Sequence, residues 1–183
     1  MSQAIAEDAV QVGAAADGQS AGTVDVSQIV SFRLASELYG VDIMRVQEII
    51  LPGQITEVPQ VPDYVRGLIN LRGHIIPVLD LRMRFGLPVS DPTEETRIIV
   101  IEVGNRTVGV VVDAVNEVLR ISRDQVEPPP TNVGEMDQRH VTGLVKLDQK
   151  LLILLRVEDL LAPGDVPGGG DPGVTTGDRP VQV

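Results

Sequence analysis

Cysteine and tryptophan are absent from this 183-residue sequence, phenylalanine and tyrosine occur twice each, and histidine occurs twice. Without cysteine there is no disulfide, no thiol nucleophile and no thiolate metal site. Aromatic residues at 2% leave little for stacking on nucleobases. The formal net charge is −11, of which −4 falls in residues 1–27 and −2 in 164–183, so −5 remains on 28–163. That sign is wrong for a phosphate-backbone binder, and nucleic acid is not expected as a partner. No run approaches the roughly 18 apolar residues of a membrane span. The N-terminus also lacks the basic and apolar regions of a secretory signal. A cytoplasmic protein with no direct membrane insertion is expected.

What is present is a dense supply of Val, Ile and Leu between two tails. Residues 1–27 have no periodic apolar face, and 163–183 are rich in Gly and Pro, so both are expected to be disordered. Between them, β-rich runs are read at Gln28–Leu34, Tyr39–Leu51, Val65–Leu71, Ile75–Leu79, Thr96–Val103, Arg106–Ile121, His140–Leu147 and Lys150–Arg156. Turns are expected at Ala35–Leu38, Arg72–His74, Gly104–Asn105 and Asp148–Gln149. Short helical patches are expected at 80–85 and 157–161. The class is all-β, a barrel or sandwich.

An internal repeat organises these runs. Gly40-Val41, Ile43, Val46, Glu48 and Ile49 recur at a fixed offset as Gly109-Val110, Val112, Val115, Glu117 and Val118. Farther on, Gly67-Leu68-Ile69 and Leu71 are echoed by Gly143-Leu144-Val145 and Leu147. Two tandem β-modules are expected, at about 28–90 and 96–162, each too small to stand securely alone.

The polar residues form no catalytic constellation in the sequence. His74 and His140 have no flanking ligands and are expected at the surface; no metal or cofactor is expected. Asp80 and Asp113, each ending an apolar run, invite comparison with a paired-carboxylate hydrolase. The repeat argues against it, because Asp80 aligns with Arg156 and Asp113 with Met44. Asp80 reads better as the N-cap of the patch DLRMRF. The two copies differ at their second hairpin, where the first has Asn70 and Arg72-Gly73 and the second has Lys146 and Asp148-Gln149. Arg72 is therefore expected to pair with Glu48, which would hold its guanidinium in place for a protein interface.

The runs VQEII, GLINLRGHIIPVLDLRMRFG and VGVVVDAVNEVL closely resemble the CheW family of bacterial chemotaxis coupling proteins, over roughly residues 28–162. The resemblance implies two SH3-like five-stranded β-barrels around a common core, and an adaptor without catalysis. Its implied partners are the cytoplasmic signalling tip of methyl-accepting chemoreceptors and the regulatory domain of the histidine kinase CheA, with recruitment to membrane-associated arrays. It implies binding residues Val46, Glu48, Gly67 and Arg72 in the first barrel, and Gly109 and Val118 in the second. A homologue serving surface motility or a development-like pathway fits the same residues.

Overall fold

The computed structural model describes residues 25–131, 138–162 and 165. Most of both tails and part of the Pro-rich loop that follows Glu127 therefore lie outside the described residues. The chain runs through β1 (Val26–Leu34), β2 (Glu37–Asp42), β3 (Val46–Ile50), β4 (Val65–Leu71) and β5 (His74–Asp80). A single helical turn, α1 (Leu81–Arg84), leads to β6 (Arg97–Val103), β7 (Arg106–Val112) and β8 (Ala114–Ser122). The two-residue β9 (Val126–Glu127), then β10 (Val141–Leu147) and β11 (Lys150–Leu155), complete the strands. The fold is all-β, as the sequence implied. Val26 and Ser27 belong to β1, so the expected N-terminal extension is slightly shorter than 1–27.

The strands form two mixed sheets. One has the order β8-β1-β2-β11-β10-β9, the other β3-β6-β7-β5-β4. The repeat equates β1, β2, β3, β4 and β5 with β6, β7, β8, β10 and β11. Each sheet then takes its first hairpin from one copy and its remaining strands from the other. β2 pairs in parallel with β11, and β7 in parallel with β5. The sheets therefore do not divide at 28–90 and 96–162, because the copies exchange hairpins. The chain crosses between sheets at residues 42–46 and again at 112–114.

These crossings explain why two expected strands are broken. Tyr39–Leu51 reads as one apolar run, yet it divides at a 3-10 turn, Ile43–Arg45, where the Asp42 side chain accepts a hydrogen bond from Met44 N. Arg106–Ile121 divides at Asp113, whose N–H donates to Arg33 O at 3.0 Å. Periodicity records that residues are buried but not which sheet buries them. The patch expected at 157–161 is a 3-10 turn over Val157–Asp159.

Side chains alternate between faces along the strands and so separate three cores. On β6, Ile99 and Ile101 face a cluster shared by both sheets, while Ile98 and Val100 face the interior of their own sheet. Val30, Phe32 and Leu34 on β1 face the shared cluster, whereas Ile29 packs with Ile121, Val145, Leu152 and Leu154. Four of the five buried residues in each sheet interior correspond by the repeat: Ile29 with Ile98, Val145 with Ile69, Leu152 with Ile76, Leu154 with Val78. Each such buried side chain contributes about 2 kcal/mol relative to exposure. Ser31, fully buried, is satisfied by Glu117, donating to its carbonyl at 2.7 Å and accepting from its N–H at 3.2 Å.

The few aromatics are concentrated in the shared core. Phe32 stacks on Tyr39 at 6.1 Å, Tyr39 on Phe85 at 5.7 Å, and Phe85 meets the His140 ring at 5.7 Å. His140 is thus buried, contrary to the surface position expected of it. It extends a column of rings, and such contacts add about 1 kcal/mol each beyond area burial. His74, at the start of β5, is exposed as expected.

Candidate functional site

The expected pair is present. Arg72 Nη1 donates to Glu48 Oε1 at 2.9 Å and Nη2 to Oε2 at 3.0 Å, a bidentate fork. Its two ends come from opposite edges of the five-stranded sheet. Glu48 lies on edge strand β3, and Arg72 at the tip of the hairpin that carries edge strand β4. Glu48 is reached through a bulge: Val46 pairs with Ile101 but Glu48 with the adjacent Val100. The bulge re-aims the strand. The arginine side chain is 76% exposed and the glutamate 24%. A guanidinium fixed by a half-buried carboxylate thus stands in solvent, on the same hairpin as the exposed Ile75.

The turn beneath Arg72 is tight. Leu71 pairs with His74, leaving Arg72 and Gly73 as a two-residue loop with φ of 53° and 84°. Both angles are positive, as a primed hairpin turn requires. Asn70 Oδ1 accepts from Gly73 N at 2.9 Å. In the sequence Asn70 is a difference between the copies, with Lys146 in its place, and carries no further signal of this role.

The other expected site residues sit differently. Val46 is half-buried on β3 and packs against the shared core. Gly67 is buried on β4, with φ of 142°, and a Cβ there would collide with the Thr56 carbonyl. That close approach closes a bridge between Thr56 and Leu68. In the second copy β9 meets β10 beside Gly143 in the same way. Gly109 is buried on β7, where a Cβ would lie 2.8 Å from Ile98 Cγ2. It belongs to the five-stranded sheet with Glu48 and Arg72, not to a separate second barrel, because its strand is exchanged. Both glycines shape the sheet through their backbones. Val118 stands apart, 48% exposed on edge strand β8 of the other sheet.

Asp80 and Asp113 serve the fold. Asp80 caps α1, accepting from Arg82 N at 2.9 Å and Met83 N at 3.4 Å. Asp113 accepts from Arg82 Nε at 2.8 Å and from Arg82 Nη2, and also from Ala35 N at 2.7 Å. Burial pushes the Asp113 carboxyl up, but hydrogen bonds from Arg82 and Ala35, with the charges of Arg82 and Arg33, outweigh it and hold the group below its ordinary value. Asp113 therefore does not resemble a general acid, whose pKa would be raised. Among the described residues no group of three or more His, Asp or Glu is placed to hold a metal ion. No described helix is long and apolar enough to cross a membrane.

Two mixed β-sheets around a shared core, with a pinned surface arginine and with Asp80 and Asp113 tied to a cap and a crossing, define the class as an all-β module of two exchanged repeats. Comparison with known proteins identifies it further. The CheW-like domain family model matches residues 28–163. Chemotaxis protein CheW of Klebsiella aerogenes is 38% identical over 150 residues, covering 82% of this chain and 90% of that protein. Chemotaxis protein CheW of Bacillus subtilis is 33% identical over 134 residues, covering 73% and 86%. The crystal structure of scaffolding protein TtCheW from Thermoanaerobacter tengcongensis superposes with a TM-score of 0.71 at 41% identity, covering 76% of this chain and 90% of that one. The chain belongs to the CheW-like domain family, and like that scaffolding protein it is not an enzyme.

Proposed function

We propose that this protein is a cytoplasmic chemotaxis adaptor that links the signalling tips of chemoreceptors to the regulatory domain of the histidine kinase CheA and couples receptor state to kinase activity. Its family and the names of its relatives support a chemotaxis scaffold. The observation that carries a binding role for this chain is the Arg72–Glu48 fork. An exposed pair contributes about 0–1 kcal/mol to stability, so the fold gains little from it. Held arginines beside apolar residues do suit protein interfaces. Val46 and Val118 are further contacts in this reading, with Gly67 and Gly109 acting through the backbone they shape.

The test is a reconstituted complex of receptor tips, kinase and this protein. Arg72→Glu should abolish receptor-coupled kinase activation while the isolated protein keeps its Tm. Pull-downs with the receptor tip and, separately, the kinase regulatory domain then show which contact is lost. Normal coupling by the variant would reduce Arg72 to a turn residue.

A further inference from the structure

We propose that Asn70 is a positioning residue for Arg72. Its side-chain amide holds the turn in the shape that presents the guanidinium to Glu48 and to a protein partner. The proposal deepens the function proposed above and rests on it.

The first observation is local. Arg72 has φ of 53°, left-handed backbone that a side chain with a Cβ adopts only at a free-energy cost. Glycine next to it accepts its φ of 84° without strain. The bond from Gly73 N to Asn70 Oδ1 spans the turn and encloses Arg72. The arginine is thus restrained at both ends, by an amide across its backbone and by a carboxylate at its guanidinium.

The second observation is the other copy. Leu147 pairs with Lys150, so Asp148 and Gln149 form the matching two-residue loop, with Asp148 at φ of 34°. Aspartate tolerates this region better than most side chains. Lys146 stands where Asn70 does, and its ammonium lies 3.1 Å from Glu127 instead. The second hairpin therefore closes with no amide at that position. What Asn70 adds is specific to a turn whose first residue is an arginine that must be aimed.

Binding to the CheA regulatory domain, measured by titration calorimetry, tests the role. Asn70→Ala should weaken binding about fivefold, the size expected when one rotamer-rich side chain loses its preorganisation. Asn70→Asp keeps the acceptor oxygen and should bind nearly as the natural protein does. In an Arg72→Ala background, adding Asn70→Ala should cost no further affinity, because the amide acts only through the arginine. An additive loss there, or failure of Asp to rescue, overturns the proposal. A second readout needs no partner. In the free protein, the Arg72 Nη–H protons that bond Glu48 should exchange with solvent several-fold faster in Asn70→Ala, by NMR, while the backbone amides of β4 and β5 keep their shifts. An unchanged Arg72 signal would overturn the positioning role. If Arg72→Ala itself binds normally, the binding reading fails and this NMR result still decides what Asn70 does.

Discussion

At the crossing from β2 to β3, Arg45 reaches Glu158 on the 3-10 turn after β11, at 2.7 Å. At the crossing from β7 to β8, Asp113 receives Arg82 from α1, the turn after β5. Glu158 and Arg82 are equivalent in the repeat, while Arg45 lies one residue past Met44, the equivalent of Asp113, and the charges of the two pairs are reversed. The environments differ as well. Arg45 and Glu158 are 44% and 47% exposed, whereas Arg82 and Asp113 are 16% and 21% exposed and carry further bonds to Ala35 N and the Pro88 carbonyl. Ion-pair strength depends on desolvation and on the other bonds each partner makes. Both crossings thus carry an ion pair, but only one of the two is a tight clamp.

The largest effect expected from breaking this arrangement is loss of folding altogether. Fragments 28–90 and 96–162 each lack the hairpin that the other supplies, so neither should fold alone. Each should give a collapsed or random amide NMR spectrum, and mixing the two should restore dispersion. A folded single fragment would contradict the hairpin exchange.

Next come the clamps themselves. Asp113→Ala leaves a half-buried guanidinium and the Ala35 N–H unpaired and should cost about 2–3 kcal/mol. Glu158→Ala at the exposed crossing should cost under about 1 kcal/mol. Urea denaturation of both variants compares them directly, and equal losses would mean that exposure does not separate the crossings.

Acid should weaken the Asp113 clamp. The folded Asp113 carboxyl titrates below an unfolded aspartate, whose value is about 3.9. Its contribution is therefore complete above that value and is lost as pH falls through the depressed folded value. Asp113→Asn should remove that part of the acid slope, read from urea midpoints between about pH 5 and 2. An unaltered slope would place the acid sensitivity elsewhere.

The smallest effect on stability belongs to Arg72→Asn. Asn-Gly is the favoured pair for a primed two-residue turn, so relief of strain should offset the lost exposed pair. The Tm should stay the same or rise by about 1–3 °C, while partner binding is lost. A clear fall in Tm would show that the fork supports the fold more than exposure suggests.

Much of this protein was legible in its residues. Val, Ile and Leu in short runs, punctuated by Gly104-Asn105 and Arg72-Gly73, specified an all-β chain, because hairpin turns and period-two burial are local properties. The repeat marked equivalent strands, and the difference at Arg72 against Asp148 pointed to a pair with Glu48 that the structure contains. Local patterns do not reveal which strands lie side by side. Gly109 was assigned to a second barrel because strand order is set by pairing between distant segments. His140 looked like a surface residue because its column, Phe32, Tyr39 and Phe85, is assembled from separate parts of the chain. The grip of Arg82 on Asp113 left no periodic signal. The sequence by itself determined the all-β class, the repeat and the position of most strands and turns, but not the breaks at Ile43–Arg45 and Asp113. Only the tertiary structure decided the hairpin exchange, the unequal clamps and the fixed guanidinium of Arg72, because each depends on burial that residues far apart in the chain create together.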